Sequence, residues 1–325
     1  MEKVTFLVTN KCNFICKHCF VNAGQAIKNE LTEKEKYQAI DNLYDIGIKK
    51  LTFSGGEPLM DKKLFNYMSY AKNKGLIIGF LTNGMLLNDE KVKKLKELTD
   101  TFSISLYTKD ILGIDDNKYN KYLDKIFQVL TKLKEFEFTL TMLVSQTNKN
   151  EIYNLMKMLL KEKITPKTIR IYMITPLGRA KSNNELCTEE MNCTDILDAM
   201  PDEIKKSNLK ISYEYTSVKN EEIKKSECST DCPIIRYENN YINKFADPHM
   251  DANGDLYLCG LLLRNKRYCI GNVIKDNKDK IFENVKNVVK DIKVHTKNND
   301  CCPALNRKKK KNEQLVCPVI YTKKV

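Results

Sequence analysis

The chain has 325 residues, 42% of them hydrophobic and 30% charged, a composition of soluble proteins with length enough for one barrel of about 200 residues plus a smaller appendage. No run reaches the roughly 18 consecutive apolar residues of a membrane span, and the short apolar stretch at the N-terminus runs straight into cysteines, so no signal peptide is expected and the expected location is the cytoplasm. The formal net charge is +13, but residues 301–325 alone hold seven Lys or Arg against one Glu, so nearly half the excess sits at the tail and the rest is diffuse, which fits a solvated face better than a groove built for nucleic acid.

Short apolar runs alternate with amphipathic stretches through the first half, the pattern of βα units around a parallel sheet. Strands are expected over 4–8, 51–53, 77–81, 102–106, 138–143 and 168–173. Thr32 and Glu35 form a capping box ahead of the first helix. Between the fourth and fifth strands, Tyr119, Tyr122, Leu123, Ile126, Val129, Leu130 and Leu133 recur at helical spacing. Six such units are two short of a closed eightfold barrel, so the fold class is α/β, an open partial (βα)6 barrel of TIM type with its site at the C-terminal strand ends. After about Arg179 the chain becomes polar, and a boundary near residue 215 divides the barrel, 1–215, from a small Cys-rich α+β domain, 216–325. In that domain Asn253-Gly254 lies between two alternating runs and signals a hairpin whose second strand ends at Cys259.

Twelve cysteines in a reducing compartment point to metal ligation rather than to disulfides. Cys12, Cys16 and Cys19 follow the first strand directly, on a loop at the active end of the barrel. Three thiolates leave one iron of a 4Fe–4S cluster open to another ligand; a zinc knuckle with His18 as the fourth ligand is the alternative. Directly after the second strand, Ser54-Gly55-Gly56-Glu57-Pro58 joins two glycines, which let backbone approach a ligand, to a carboxylate able to take an ammonium.

The run CNFICKHCF at 12–20 resembles the CxxxCxxC motif of the radical S-adenosylmethionine (SAM) superfamily, and Gly55-Gly56-Glu57-Pro58 resembles its GGEP motif. The resemblance implies that the open iron chelates the amino and carboxylate groups of SAM, and that SAM is cleaved to methionine and a 5′-deoxyadenosyl radical inside a barrel that excludes solvent. It implies SAM contacts from His18, Gly55, Gly56 and Glu57, from Ser105 near the ribose, and from Leu177 near the adenine. Leu177 belongs to Pro176-Leu177-Gly178-Arg179-Ala180, which resembles the P-x-G-R-A signature of members with a C-terminal cluster domain. Where the family often has Asp-Gly after the fourth strand, this chain has Tyr107-Thr108.

Cys228, Cys232, Cys259, Cys269, Cys301, Cys302 and Cys317 crowd the C-terminal segment, and Gly254-x4-Cys259 followed by Gly271-Asn272-Val273 resembles the SPASM and twitch extensions of radical SAM enzymes. The resemblance implies one auxiliary 4Fe–4S cluster on Cys228, Cys232, Cys259 and Cys317, with Cys301 or Cys302 as alternate fourth ligand. Cys187, Cys193 and Cys269 read as small buried residues, or as thiol hydrogen donors to a substrate radical. Members with such extensions mostly act on peptides or proteins by crosslinking, epimerisation or oxidation, and draw their electron from a flavodoxin or ferredoxin. Two rivals are a radical SAM enzyme of small-molecule cofactor biosynthesis and, from another class, a non-catalytic iron–sulfur or zinc protein that binds nucleic acid through its lysines.

Overall fold

All six expected strands are present, each bound within one residue of expectation: β1 (Lys3–Leu7), β2 (Lys50–Ser54), β3 (Ile77–Thr82), β4 (Thr101–Ser105), β5 (Thr139–Val144) and β6 (Thr168–Met173). The structure, a computed structural model, describes residues 2–145, 147–174, 177–186, 196, 199–214, 217–219, 248–299, 313–315 and 322–324. Helices α1 (Glu33–Ile46), α2 (Leu64–Asn73), α3 (Asp89–Leu98), α4 (Lys109–Leu112), α5 (Asp116–Lys132) and α6 (Lys149–Lys161) fill the connections. Two compact units result: Met1–Cys12 with Ala23–Gly79 and Thr216–Tyr321, and Asn13–Asn22 with Phe80–Tyr215 and Thr322–Val325. The division passes through β3.

In the first unit β1 and β2 pair in parallel, from Lys3 opposite Lys50 to Leu7 opposite Ser54, and bury Val4, Phe6, Leu51 and Phe53. The other edge of β1 pairs in parallel with β9 (His249–Met250). That strand is one arm of the expected Asn-Gly hairpin, antiparallel to β10 (Asp255–Tyr257), which pairs in turn with β11 (Cys269–Asn272). Gly254 takes φ +86° in the turn, a conformation that glycine adopts without steric cost. A closing helix, Lys278–Asn299, buries Ile281, Val285, Val288, Val289 and Ile292, one helical stripe. The capping box of α1 is formed in both directions, with the Glu35 amide donating to Thr32 Oγ1 at 3.3 Å and the Thr32 amide to Glu35 Oε2 at 2.8 Å. Between α1 and the turn before α2, Lys36 pairs with Asp61 at 2.5 Å, both side chains largely buried.

In the second unit β4, β5 and β6 are parallel, β5 and β6 over six residue pairs from Thr139–Thr168 to Val144–Met173. A further parallel strand, β7 (Ile211–Glu214), continues this order beside β6, and a short strand β8 (Ser217–Lys219) follows it in the chain. Strand β7 goes beyond the six expected strands: four residues, Ile-Ser-Tyr-Glu, carry too short an alternation to stand out from a polar surrounding. Helix α5 buries Tyr119, Tyr122, Ile126, Val129 and Leu130 as the spacing predicts, with Phe127 buried as well and Leu123 only half-buried. Among the described residues no helix is long and apolar enough to cross a membrane.

Candidate active site

The C-terminal ends of β1 and β2 present two short backbone segments that bond to each other. The amide of Gly56 donates to the Thr9 carbonyl at 2.8 Å and that of Glu57 to the Lys11 carbonyl at 2.8 Å. A Cβ on Gly55 would lie 2.5 Å from the Thr9 oxygen, and one on Gly56 2.4 Å from the Lys11 oxygen. Both glycines are therefore required by close approach to the chain's own cysteine-bearing loop, where the sequence suggested close approach to a ligand. Glu57 is fully buried and its Oε1 accepts the Leu59 amide at 3.1 Å, capping the 3-10 turn Pro58–Met60. Cys12, half-buried, donates its amide to the Gly24 carbonyl at 3.0 Å.

The second unit holds the rest of the cysteine loop. Cys16 is buried, and the Cys19 amide turns back to its carbonyl at 3.3 Å. Three groups from the segment after β6 fix this turn: Arg179 Nε donates to the Cys16 carbonyl at 2.8 Å, the Arg179 amide to the Cys19 carbonyl at 3.0 Å, and Asn183 Nδ2 to the Lys17 carbonyl at 3.3 Å. On the opposite side the Lys17 amide donates to the Ile111 carbonyl at 3.1 Å. Gly178 makes the approach feasible: it takes φ +56°, and a Cβ there would lie 2.4 Å from the carbonyl oxygens of Cys19 and Phe20. Leu177, half-buried, immediately precedes this clamp. Gly178, Arg179 and Asn183 were not among the site residues expected from sequence; the P-x-G-R-A run flagged the place but not the contact.

Within the turn the His18 ring lies 5.1 Å from Tyr107. Burial pulls the imidazole down to about 4, against a smaller upward pull from a hydrogen bond to the Ile111 backbone, so His18 is neutral at neutral pH. Its Nδ1 is shut off from solvent and has no hydrogen-bond partner among the described residues. Ser105, half-buried at the end of β4, donates its hydroxyl to Tyr107, whose own ionisation burial and the neighbouring Cys16 push far up. At the start of α4, Asp110 collects hydroxyl donors from Thr108 at 2.6 Å, Ser145 at 2.6 Å and Thr147 at 2.9 Å.

In the C-terminal segment Cys259 is buried just beyond β10. Cys269 opens β11 opposite Tyr257, with whose hydroxyl it hydrogen-bonds, and burial pushes its thiol up. Cys187, Cys193, Cys228, Cys232, Cys301, Cys302 and Cys317 lie outside the described residues. Among the described residues no three His, Cys, Asp or Glu side chains converge as ligands of one metal ion; the thiolates of a 4Fe–4S cubane bind separate irons and need no common point. Three thiols within eight residues and a buried imidazole nitrogen awaiting a polar partner fit such a cluster with a polar organic ligand beside it.

Residues 6–159 match the Radical SAM superfamily. The Fe-coproporphyrin III synthase of Methanosarcina barkeri is 41% identical over 96 residues, 29% of this chain and 24% of that protein. The GTP 3′,8-cyclase of Campylobacter fetus subsp. fetus is 29% identical over 256 residues, 74% of this chain and 71% of that protein. The curated relatives matched first are spanned over only about a quarter to a half of their length. Among solved structures, anSMEcpe with bound AdoMet and Kp18Cys peptide has a TM-score of 0.65 at 16% identity, over 97% of this chain and 92% of that one. The shared fold is the α/β open partial barrel of TIM type.

Proposed function

We propose that this chain, whose residues 6–159 are a radical SAM domain, is an enzyme that removes a hydrogen atom from a peptide or protein substrate. Cys12, Cys16 and Cys19 would hold the 4Fe–4S cluster, and the bound cluster and SAM would supply a 5′-deoxyadenosyl radical. The observation that carries the reading is the grip on the cysteine turn, where Arg179 and Asn183 take up the carbonyls of residues 16, 17 and 19. Main-chain groups so held orient the thiols before any metal arrives. Fully buried Glu57 is suited to accept a charge-assisted hydrogen bond from the SAM ammonium. Gly55 and Gly56 keep that carboxylate against the cluster loop, and neutral His18 offers Nδ1 to a polar group of the ligand. Ser105 and Leu177 are assigned to the ribose and adenine.

The same reading divides the chain into a core, 1–215, and a cluster-bearing segment, 216–325. There one auxiliary 4Fe–4S cluster would rest on Cys228, Cys232, Cys259 and Cys317, supported so far by the burial of Cys259. A flavodoxin or ferredoxin would supply the electron in the cytoplasm. A peptide substrate is supported by the fold shared, over 97% of this chain, with a protein solved with a bound peptide. A second reading, a nucleotide or other small-molecule substrate, is favoured by the relative named GTP 3′,8-cyclase, matched over 71% of its length. The test is release of 5′-deoxyadenosine from SAM by anaerobically reconstituted, reduced protein. Wild type should release it and Cys16→Ala should not; no product from a wild-type protein carrying a full complement of iron refutes the enzyme. Deuterium carried into 5′-deoxyadenosine from a labelled peptide, and not from labelled GTP, separates the two substrate classes.

A further inference from the structure

A second network converges on the peptide that presents Cys12, from the segment between Cys259 and Gly271. Arg264, between β10 and β11, takes φ +65°, a left-handed conformation disfavoured for a residue with a Cβ. Strain of this kind persists where the surroundings over-determine a position. The guanidinium is bidentate on Asp251, Nε to Oδ2 at 2.8 Å and Nη2 to Oδ1 at 2.9 Å. Nη2 also donates to Asn10 Oδ1 at 2.8 Å. Asp251 is 2% exposed and Asn10 4%, so these charge-assisted bonds are shielded from water.

Asn10 stands two residues before Cys12, and each of its four hydrogen-bonding groups is engaged. Its amide donates to Glu30 Oε1 at 2.8 Å and its Nδ2 to the Gln25 carbonyl at 2.8 Å. Its carbonyl accepts the Gly24 amide at 2.9 Å, and Gly24 in turn accepts the Cys12 amide at 3.0 Å. Thr9, one residue earlier, donates Oγ1 to Glu30 Oε2 at 2.9 Å. Arg264 reaches Asn10 across 254 positions of sequence.

We propose that Arg264 is a positioning residue for the cluster: through Asn10 it fixes the peptide that presents Cys12 and ties the C-terminal hairpin to the cysteine loop. The proposal rests on Cys12 being a cluster ligand. A lysine cannot replace the planar fork that spans Asp251 and Asn10 together, and loss of such an outer contact typically weakens a metal site by about 10–100-fold.

Two measurements on the full-length chain test it. In cluster-free protein, Arg264→Met should speed amide exchange across residues 9–12 by about tenfold, a loss of about 1.4 kcal/mol of local protection, and Arg264→Lys should not restore it. In reconstituted protein, iron should be lost to a chelator about tenfold faster, and the SAM-responsive electron paramagnetic resonance signal should broaden. Asn10→Ala, which spares the Arg264–Asp251 pair, should reproduce both changes should Arg264→Met fail to fold. Arg267→Met, which breaks the exposed pair with Asp291, should produce neither. Unchanged exchange across 9–12, or a fall in thermal stability with the resonance line shape unaltered, overturns the proposal. A wild-type protein with no SAM-responsive cluster overturns the assignment of Cys12 beneath it, and the exchange measurement, which needs no cluster, tells that failure from the other.

Discussion

Substituting Gly178 by alanine tests whether the segment after β6 sets the geometry of the cysteine turn. Two costs follow from the structure. The backbone sits at φ +56°, where alanine is disfavoured by about 1–2 kcal/mol. The added Cβ would lie 2.4 Å from the Cys19 and Phe20 carbonyl oxygens, where real contacts do not fall below 3.0 Å, so 3.0 less 2.4, or 0.6 Å, of movement is forced on backbone. That displacement falls on the carbonyl that accepts the Arg179 amide at 3.0 Å, and weakening this bond adds about 1 kcal/mol. The sum is a loss of about 2–3 kcal/mol in urea unfolding of the cluster-free protein. Because Cys19 itself must shift, iron retention against a chelator should fall with it. Gly178→Ala with wild-type stability and wild-type iron retention would refute the clamp.

Glu57→Gln keeps the shape and the acceptor for the Leu59 amide but removes the charge; SAM affinity in equilibrium dialysis should drop by about 10–100-fold with the far-ultraviolet spectrum unchanged, and an unchanged affinity rules Glu57 out as the ammonium's partner. Burial alone would raise the Asp110 carboxyl, but hydrogen bonds from Ser145, Thr108, Thr147 and the Ile111 amide override it and hold the group below its ordinary 3.8. The folded state thus binds fewer protons there, so this stabilisation is present above 3.8 and is lost as pH falls through the folded value. The gap in urea midpoint between wild type and Asp110→Asn should be widest near neutral pH and close in acid; a gap independent of pH contradicts it. Lys36→Met strands the buried Asp61 carboxylate and should cost about 3 kcal/mol. Lys49→Met, whose partner Glu2 is exposed, should stay within about 0.5 kcal/mol; equal losses for the two would show that burial of the first pair does not matter.

What could be read in the sequence is what depends on near neighbours along the chain. The six βα strands, the Thr32–Glu35 cap, the α5 stripe and the Asn253-Gly254 hairpin follow from periods of two and 3.6 residues and from turn chemistry. The cysteine triplet and the Gly-Gly-Glu turn were legible for the same reason, since their chemistry lies in spacing. Tertiary structure alone decided that β7 joins β6 and that β9 joins β1, because pairing between distant strands leaves no periodic trace in either. It also decided what the site glycines are for: Gly55, Gly56 and Gly178 make room for carbonyls of the cysteine loop. The residues that hold that loop, Arg179, Asn183 and Arg264, act through hydrogen bonds to groups up to 254 positions away. An arginine reaching a carbonyl or an asparagine looks in sequence like any surface arginine; its partner is set only when the chain folds and water is removed from between them.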